Sequence, residues 1–135
     1  MVEVHVLYEG GLHCKVIHGP SGKTLMTDAP KDHEGQGETF SPTDLVAAAL
    51  GSCIVTVLAI LAERRQLDIK GTQLSIIKEM TSEGPRRIKK LGVEVTLPKH
   101  LTQEEKALLE RAALSCPVYK SLHPEVAVPV YFLYQ

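Results

Sequence analysis

Residues 40–65 read FSPTDLVAAALGSCIVTVLAILAERR, and this stretch decides the architecture of the chain. Ser41 is suited to cap a helix, and Pro42 suits its first position, where a missing N–H costs nothing. Asp44, three residues beyond Ser41, completes an acidic capping box and favours the positive end of the helix dipole. No charged residue then occurs from Leu45 to Ala62. The larger apolar residues of the run, Leu45, Val46, Leu50, Ile54, Val55, Leu58, Ile60 and Leu61, point all round the helix axis instead of forming a stripe. A helix of that kind is expected to be buried on every side. The run also reaches the length of a membrane span. Ala, Gly and Ser fill much of it, however, and both flanks read as globular, so a core helix is the expectation.

Outward from this helix the chain alternates. Val2, Val4, Val6 and Tyr8 interleave with polar residues as in a strand, and Gly10-Gly11 turns the chain into a second strand carrying Leu12, Cys14 and Val16. Gly19-Pro20-Ser21-Gly22 is a second turn before a short strand from Lys23 to about Asp28. The polar, Gly-containing segment from Ala29 to Thr39 reads as a loop. Beyond the helix, which should end near Gln66, Leu74 to Met80 and Leu91 to Leu97 alternate around a Glu83-Gly84-Pro85 turn and predict a hairpin. Thr102 and Glu105 form a capping box for a helix to about Ser115, which Cys116-Pro117 interrupts because a residue before proline leaves the α region. Val118 to Leu122 supplies one more helical turn. Glu125 to Tyr134 is a final strand, with Pro129 restricted to an edge or bulge. The predicted order is βββ-α-ββ-αα-β, an α+β fold with strands grouped at either end of a long central helix, in a single domain over residues 1–135. A chain of this size has little material to cover an all-round apolar helix, so an obligate, intertwined homodimer is expected.

Composition narrows the function. A formal net charge of −1 argues against nucleic acid or an anionic membrane as the main partner. Arg86, Arg87, Lys89 and Lys90 cluster at the predicted hairpin tip, but no aromatic residue is interleaved, so a solvated hairpin end is expected in place of a nucleic-acid patch. The N-terminal MVEVHVLYEGG has no apolar stretch of signal-peptide length, so the cytoplasm is the expected location. Three cysteines, Cys14, Cys53 and Cys116, are too few and too widely spaced for a disulfide framework or a CxxC metal site. The scattered histidines set up no ligand register, and His13 and Cys14 fall on opposite faces of a strand. Neither metal nor cofactor is expected, and there is no phosphate loop, dinucleotide fingerprint or GxSxG elbow.

The thiols remain as candidate chemistry. Cys53 sits about three turns into the apolar helix, beyond the reach of the helix dipole, and by itself reads as a small buried hydrophobe unless another group holds its thiolate. Cys116, before Pro117, is placed to cap a short helix whose N–H groups favour a thiolate, with Lys120 one turn on; an inert cysteine at a helix end fits the same pattern. Cys14 reads as core.

The segments SPTDLVAAALGSC and SCPVYKSL together resemble the OsmC/Ohr family of osmotically induced and organic-hydroperoxide-resistance proteins, and the element order is similar over nearly the whole chain. The resemblance implies a tightly intertwined homodimer built on the central helices. It also implies a thiol-dependent peroxidase: Cys53 matches the peroxidatic cysteine that attacks an organic hydroperoxide, and Cys116 the resolving cysteine. A small dithiol or a lipoylated protein would be the reductant, and oxidative-stress defence the role. Ohr-type members hold the thiolate with an N-terminal arginine paired with a glutamate soon after the proline of the helix. Here the first arginine is Arg64, the nearest N-terminal cation is Lys15 in GGLHCK, and Thr43 and Asp44 follow Pro42. Lys15, Thr43, Asp44 and Lys120 are therefore the candidate activating or supporting residues, with Arg86 and Arg87 as further sources of charge. The missing pair leaves an alternative open, a non-catalytic dimer of the same family that binds a small ligand or senses redox state.

Overall fold

The computed structural model of the protein describes residues 1–135. The element order is β1 (Val4–Gly10), β2 (His13–His18), β3 (Thr24–Asp28), α1 (Pro42–Arg64), β4 (Gln73–Met80), β5 (Ile88–Leu97), α2 (Gln103–Ala112), α3 (Pro117–Ser121) and β6 (Val130–Tyr134), with 3-10 turns at Lys31–His33 and Ala113–Ser115. This is the predicted βββ-α-ββ-αα-β order. The chain forms two compact units, residues 1–46 and 47–135.

The first unit is an antiparallel sheet in the order β1-β2-β3. Residues 10–12 turn the chain between β1 and β2 with φ values of +86°, +60° and +61°, which two glycines reach without strain and Leu12 adopts as well. Strand β1 is exposed on both faces until Gly10, so its alternation does not mark a buried side within the chain. The loop that follows β3 is tied down by Asp28, whose side chain is fully buried. One carboxylate oxygen lies 2.8 Å from His13 Nδ1 and the other accepts the Glu38 N–H at 2.9 Å. The Asp28 N–H donates to the Phe40 carbonyl. A buried carboxylate held by several donors is stable where an unpaired one is not.

Helix α1 begins as its sequence dictates. The Asp44 N–H donates to Ser41 Oγ at 3.1 Å, and Asp44 Oδ2 accepts the Ser41 N–H at 2.8 Å, so the capping box is closed in both directions. At the other end Gln66 takes φ +58°, and the Leu67 and Gln66 N–H groups donate to the Ala62 and Glu63 carbonyls. That is a Schellman termination with a glutamine in the position glycine usually takes.

In the second unit β5 is central, antiparallel to β4 and parallel to β6. Leu91, Val93, Val95 and Leu97 on one face of β5 are all buried, with Leu109 and Ala113 from the α2 segment completing the core. Strand β6 is shorter than the sequence suggests. Only Val130–Tyr134 forms ladder with β5, and Pro129, which lacks a donor, stands just before it and accepts the Val93 N–H at 2.9 Å through its carbonyl. Tyr134 clips the strand to α2: its hydroxyl donates to Glu110 Oε1 at 2.5 Å, and Lys106 Nζ sits 4.3 Å from its ring centroid.

Within the chain α1 buries one face, Leu50, Gly51, Ile54, Leu58 and Ala62, instead of its whole circumference. Ala48, Ala49, Ser52, Thr56 and Ile60 are exposed. The expectation of burial on all sides is therefore met on one side by this chain's own sheet.

Candidate functional site

Close approach of helix and sheet sets the position of Cys53. Gly51 faces β4, and a Cβ at that position would stand 2.9 Å from Leu74 Cδ2 and 3.2 Å from Ile76 Cδ1. The absence of a side chain at Gly51 lets the two elements touch. Two residues later Cys53 falls at the margin of the buried face and is half-buried.

Cys116 is brought from the other end of the chain by a relay of caps. Thr102 and Glu105 start α2 with a capping box, their bonds at 3.2 and 2.7 Å. The 3-10 turn after Ala112 tightens the exit, and Pro117 forces Cys116 into an extended conformation, φ −72° and ψ 143°. Cys116 thereby becomes the N-cap of α3, with Pro117 at the first helical position and the Tyr119 N–H donating to its Sγ at 3.3 Å. The side chain is fully buried, and Cys53 is the ionisable neighbour that acts on its thiol. Two cysteines 63 positions apart are thus neighbours, one on the central helix and one on a cap.

The electrostatics of Cys116 correct one expectation. The cap geometry read from the sequence is present, and the Tyr119 and Val118 N–H groups do favour a thiolate. Burial outweighs them, and the neighbouring Cys53 pushes the same way. The Cys116 thiol is held above its ordinary value of 9.0. Lys120 lies on the exposed side of α3 and makes no contribution to this shift.

The other candidate residues have different surroundings. Asp44 is committed to the Ser41 capping box, and Thr43 Oγ1 lies 3.3 Å from Ser41 Oγ, so both help to start α1. Lys15 is half-buried in β2, where its register partners are Leu7 and Met26. Arg87 is engaged at the turn end of the hairpin, 3.1 Å from Glu125 and donating to the Ile88 carbonyl. No three His, Cys, Asp or Glu side chains converge as metal ligands. A cavity of about 370 Å³ opens beside the C-terminal half of α1, lined by Val55, Ala59, Leu67 and Ile69 among others, and neither thiol of the pair lines it. The His13–Asp28 pair and the Tyr134–Glu110 clip were not foreseen. Both join residues distant in sequence through single side chains, and no local pattern signals such a pairing.

What the arrangement offers chemically is a dithiol: two neighbouring thiols, one more exposed than the other, on separate elements. Residues 35–130 of the chain match the OsmC-like protein family. Among solved structures, a protein from Psychrobacter arcticus 273-4, named provisionally for osmotic stress induction and detoxification response, is 38% identical, with a TM-score of 0.91 over 98% of this chain and 96% of that one. The organic hydroperoxide resistance protein OsmC of Legionella pneumophila, 19% identical, superposes with a TM-score of 0.76 over 98% and 96%. OhrB of Bacillus subtilis, an organic hydroperoxide resistance protein 20% identical, gives 0.73 over 98% and 97%. At those lower identities the likeness is one of fold. No curated protein sequence matches the chain.

Proposed function

The chain belongs to the OsmC-like family, and we propose that it is a thiol-dependent peroxidase that reduces organic hydroperoxides. The observation that carries the proposal is that Cys53 of the central helix is the ionisable neighbour of Cys116 at the α3 cap. Relatives of the same fold named for organic hydroperoxide resistance support it. In this reading the Cys53 thiolate attacks the distal peroxide oxygen, the O–O bond breaks, and the alkoxide leaves and takes a proton to become the alcohol. Cys53 is then a sulfenic acid. The Cys116 sulfur displaces its hydroxyl, forming the S–S bond and releasing water. The two thiols have lost two electrons and the hydroperoxide has gained them. A small dithiol or a lipoylated protein restores both thiols by exchange.

The proposed assembly is an intertwined homodimer in the cytoplasm, acting in oxidative-stress defence. It is supported by the exposed face of α1 and by the apolar residues Val4, Val6, Leu7 and Tyr8, exposed on β1, since a surface of that kind calls for a covering partner. One feature favours a second reading, a redox-sensing or ligand-binding dimer without turnover: no arginine precedes Arg64 to hold the Cys53 thiolate.

The two readings separate in one experiment. The reduced protein is treated with one equivalent of an organic hydroperoxide, and intact mass and free thiols are followed. The peroxidase should lose two hydrogens and two thiols within seconds to minutes, and Cys53→Ser should abolish the change. Repeated turnover with a dithiol present then distinguishes an enzyme from a sensor. Free thiols left intact after minutes of exposure would overturn the proposal.

A further inference from the structure

We propose that the hollow beside the C-terminal half of α1 binds a small molecule with an apolar body and a protonated amine. The site lies apart from the thiol pair, since neither Cys53 nor Cys116 lines it.

The hollow measures about 370 Å³, within the range of small-molecule pockets, and belongs entirely to the unit of residues 47–135. Val55, Ala59 and Ala62 form the helix wall, and Leu67 and Ile69 stand on the loop that follows α1. Alanine at 59 and 62 leaves open the space that larger side chains would fill. The loop wall is held by its own hydrogen bonds, so the site is preformed. The Leu67 N–H donates to the Ala62 carbonyl at 2.9 Å and closes the helix. The Lys70 N–H donates to Asp68 Oδ1 at 2.9 Å, and the Thr72 N–H and hydroxyl both donate to the Ile69 carbonyl. Gly71 takes φ +89° within this turn, a conformation that glycine adopts without strain.

Charge at the rim selects the ligand. Glu63 from α1 and Asp68 and Lys70 from the loop line the cavity, and all three are exposed. Two carboxylates against one ammonium give the rim a negative balance, which attracts a cation and repels a carboxylate. An apolar protein surface laid over the same rim would desolvate these charges and return nothing to them. A small amine satisfies both parts of the site. Its ammonium stays at the wet rim beside Glu63 and Asp68, and its hydrocarbon or aromatic body covers the five apolar side chains.

The probe is 2-phenylethylamine, which is protonated at neutral pH, with 2-phenylethanol and 3-phenylpropionate as matched neutral and anionic controls. Backbone amide shifts of the full-length, nitrogen-15-labelled protein are followed as each is added to about 20 mM, well above an expected Kd on the order of 1 mM. Shifts with the amine should concentrate in residues 55–72, and the anion should bind at least about tenfold more weakly. Glu63→Gln and Asp68→Asn should each weaken the amine by about twofold to fivefold. Asparagine keeps a carbonyl oxygen for the Lys70 N–H, so the loop retains its shape in that variant. Ala59→Leu, which fills the hollow, should abolish binding in a protein that circular dichroism shows to be folded. Equal affinity for the three probes, or charge variants that bind the amine as the wild type does, would overturn the amine assignment. Shifts that are absent or spread over the whole chain would overturn the site. So would a change of sedimenting mass on adding the amine, since the hollow would then belong to a contact between copies. No thiol chemistry enters these readouts, so they stand apart from the peroxidase assay.

Discussion

Gly51 is where a small change should separate stability from function most clearly. A Cβ there would stand 2.9 Å from Leu74 Cδ2 and 3.2 Å from Ile76 Cδ1, so the first contact falls about 0.5 Å short of an ordinary 3.4 Å separation. In Gly51→Ala that shortfall meets the tips of two flexible side chains, and small rotamer adjustments at about 0.5–1.5 kcal/mol absorb it. Removing a helix-interior glycine returns about 1 kcal/mol, so the alanine variant should lie within about 1 kcal/mol of the wild type. Gly51→Val adds two further carbons, which side-chain motion cannot accommodate, and α1 must separate from β4. Overpacking of that kind costs about 1–3 kcal/mol, and valine's helix propensity recovers only a few tenths relative to glycine. For a chain of this length the valine variant should melt roughly 4–12 °C lower. Cys53 moves with the helix, so its separation from Cys116 should change, and disulfide formation, which tolerates little change in Cβ separation, should slow by at least about tenfold. Thermal unfolding by circular dichroism and the rate of thiol loss under a mild oxidant measure the two effects. A valine variant that melts with the wild type and oxidises at the same rate would refute the claim that Gly51 sets the helix–sheet distance and, through it, the separation of the thiols.

The proposed dimer predicts that sedimentation at micromolar concentration gives twice the chain mass, and that Ile60→Glu, which places a charge on the exposed face of α1, shifts the protein toward monomer; a stable wild-type monomer would sink the assembly. Alkaline stability gives a further check. The Tyr134 phenol is held above its ordinary value of 10.0 by burial, by the hydrogen bond it donates to Glu110 and by that carboxylate's charge, and Cys116 is held above 9.0 by burial and by Cys53. Both groups ionise more readily in the unfolded chain. Their contribution is therefore complete below the unfolded values and is lost as pH rises from about 9 upward through the folded ones. The melting temperature should fall over that range, and Tyr134→Phe should flatten the part of the fall above about pH 10.

Much of this molecule was legible in the chain itself. The Ser41–Asp44 and Thr102–Glu105 caps, the extended conformation of Cys116 and the alternation of β4 and β5 all arise from contacts within a few residues, and local patterns encode such contacts directly. The sequence also placed a thiol in each of the two motifs that resemble a known family. Other features depended on tertiary structure because they join distant residues. The Asp28 clamp needs β2, β3 and the following loop together, and the pairing of Cys53 and Cys116 as neighbours spans about half the chain. The environment of the two sulfurs depends on it in the same way. A cap position left open both a favoured thiolate and an inert thiol at Cys116; the free energy of burying its charge outweighs two N–H dipoles, and burial belongs to the packed structure. For the opening helix, composition determined that it would be apolar and long. Only the packed chain decided which face its own sheet covers, because Gly51 allows close approach on one side and nothing in the chain covers the side bearing Ala48, Ser52 and Thr56.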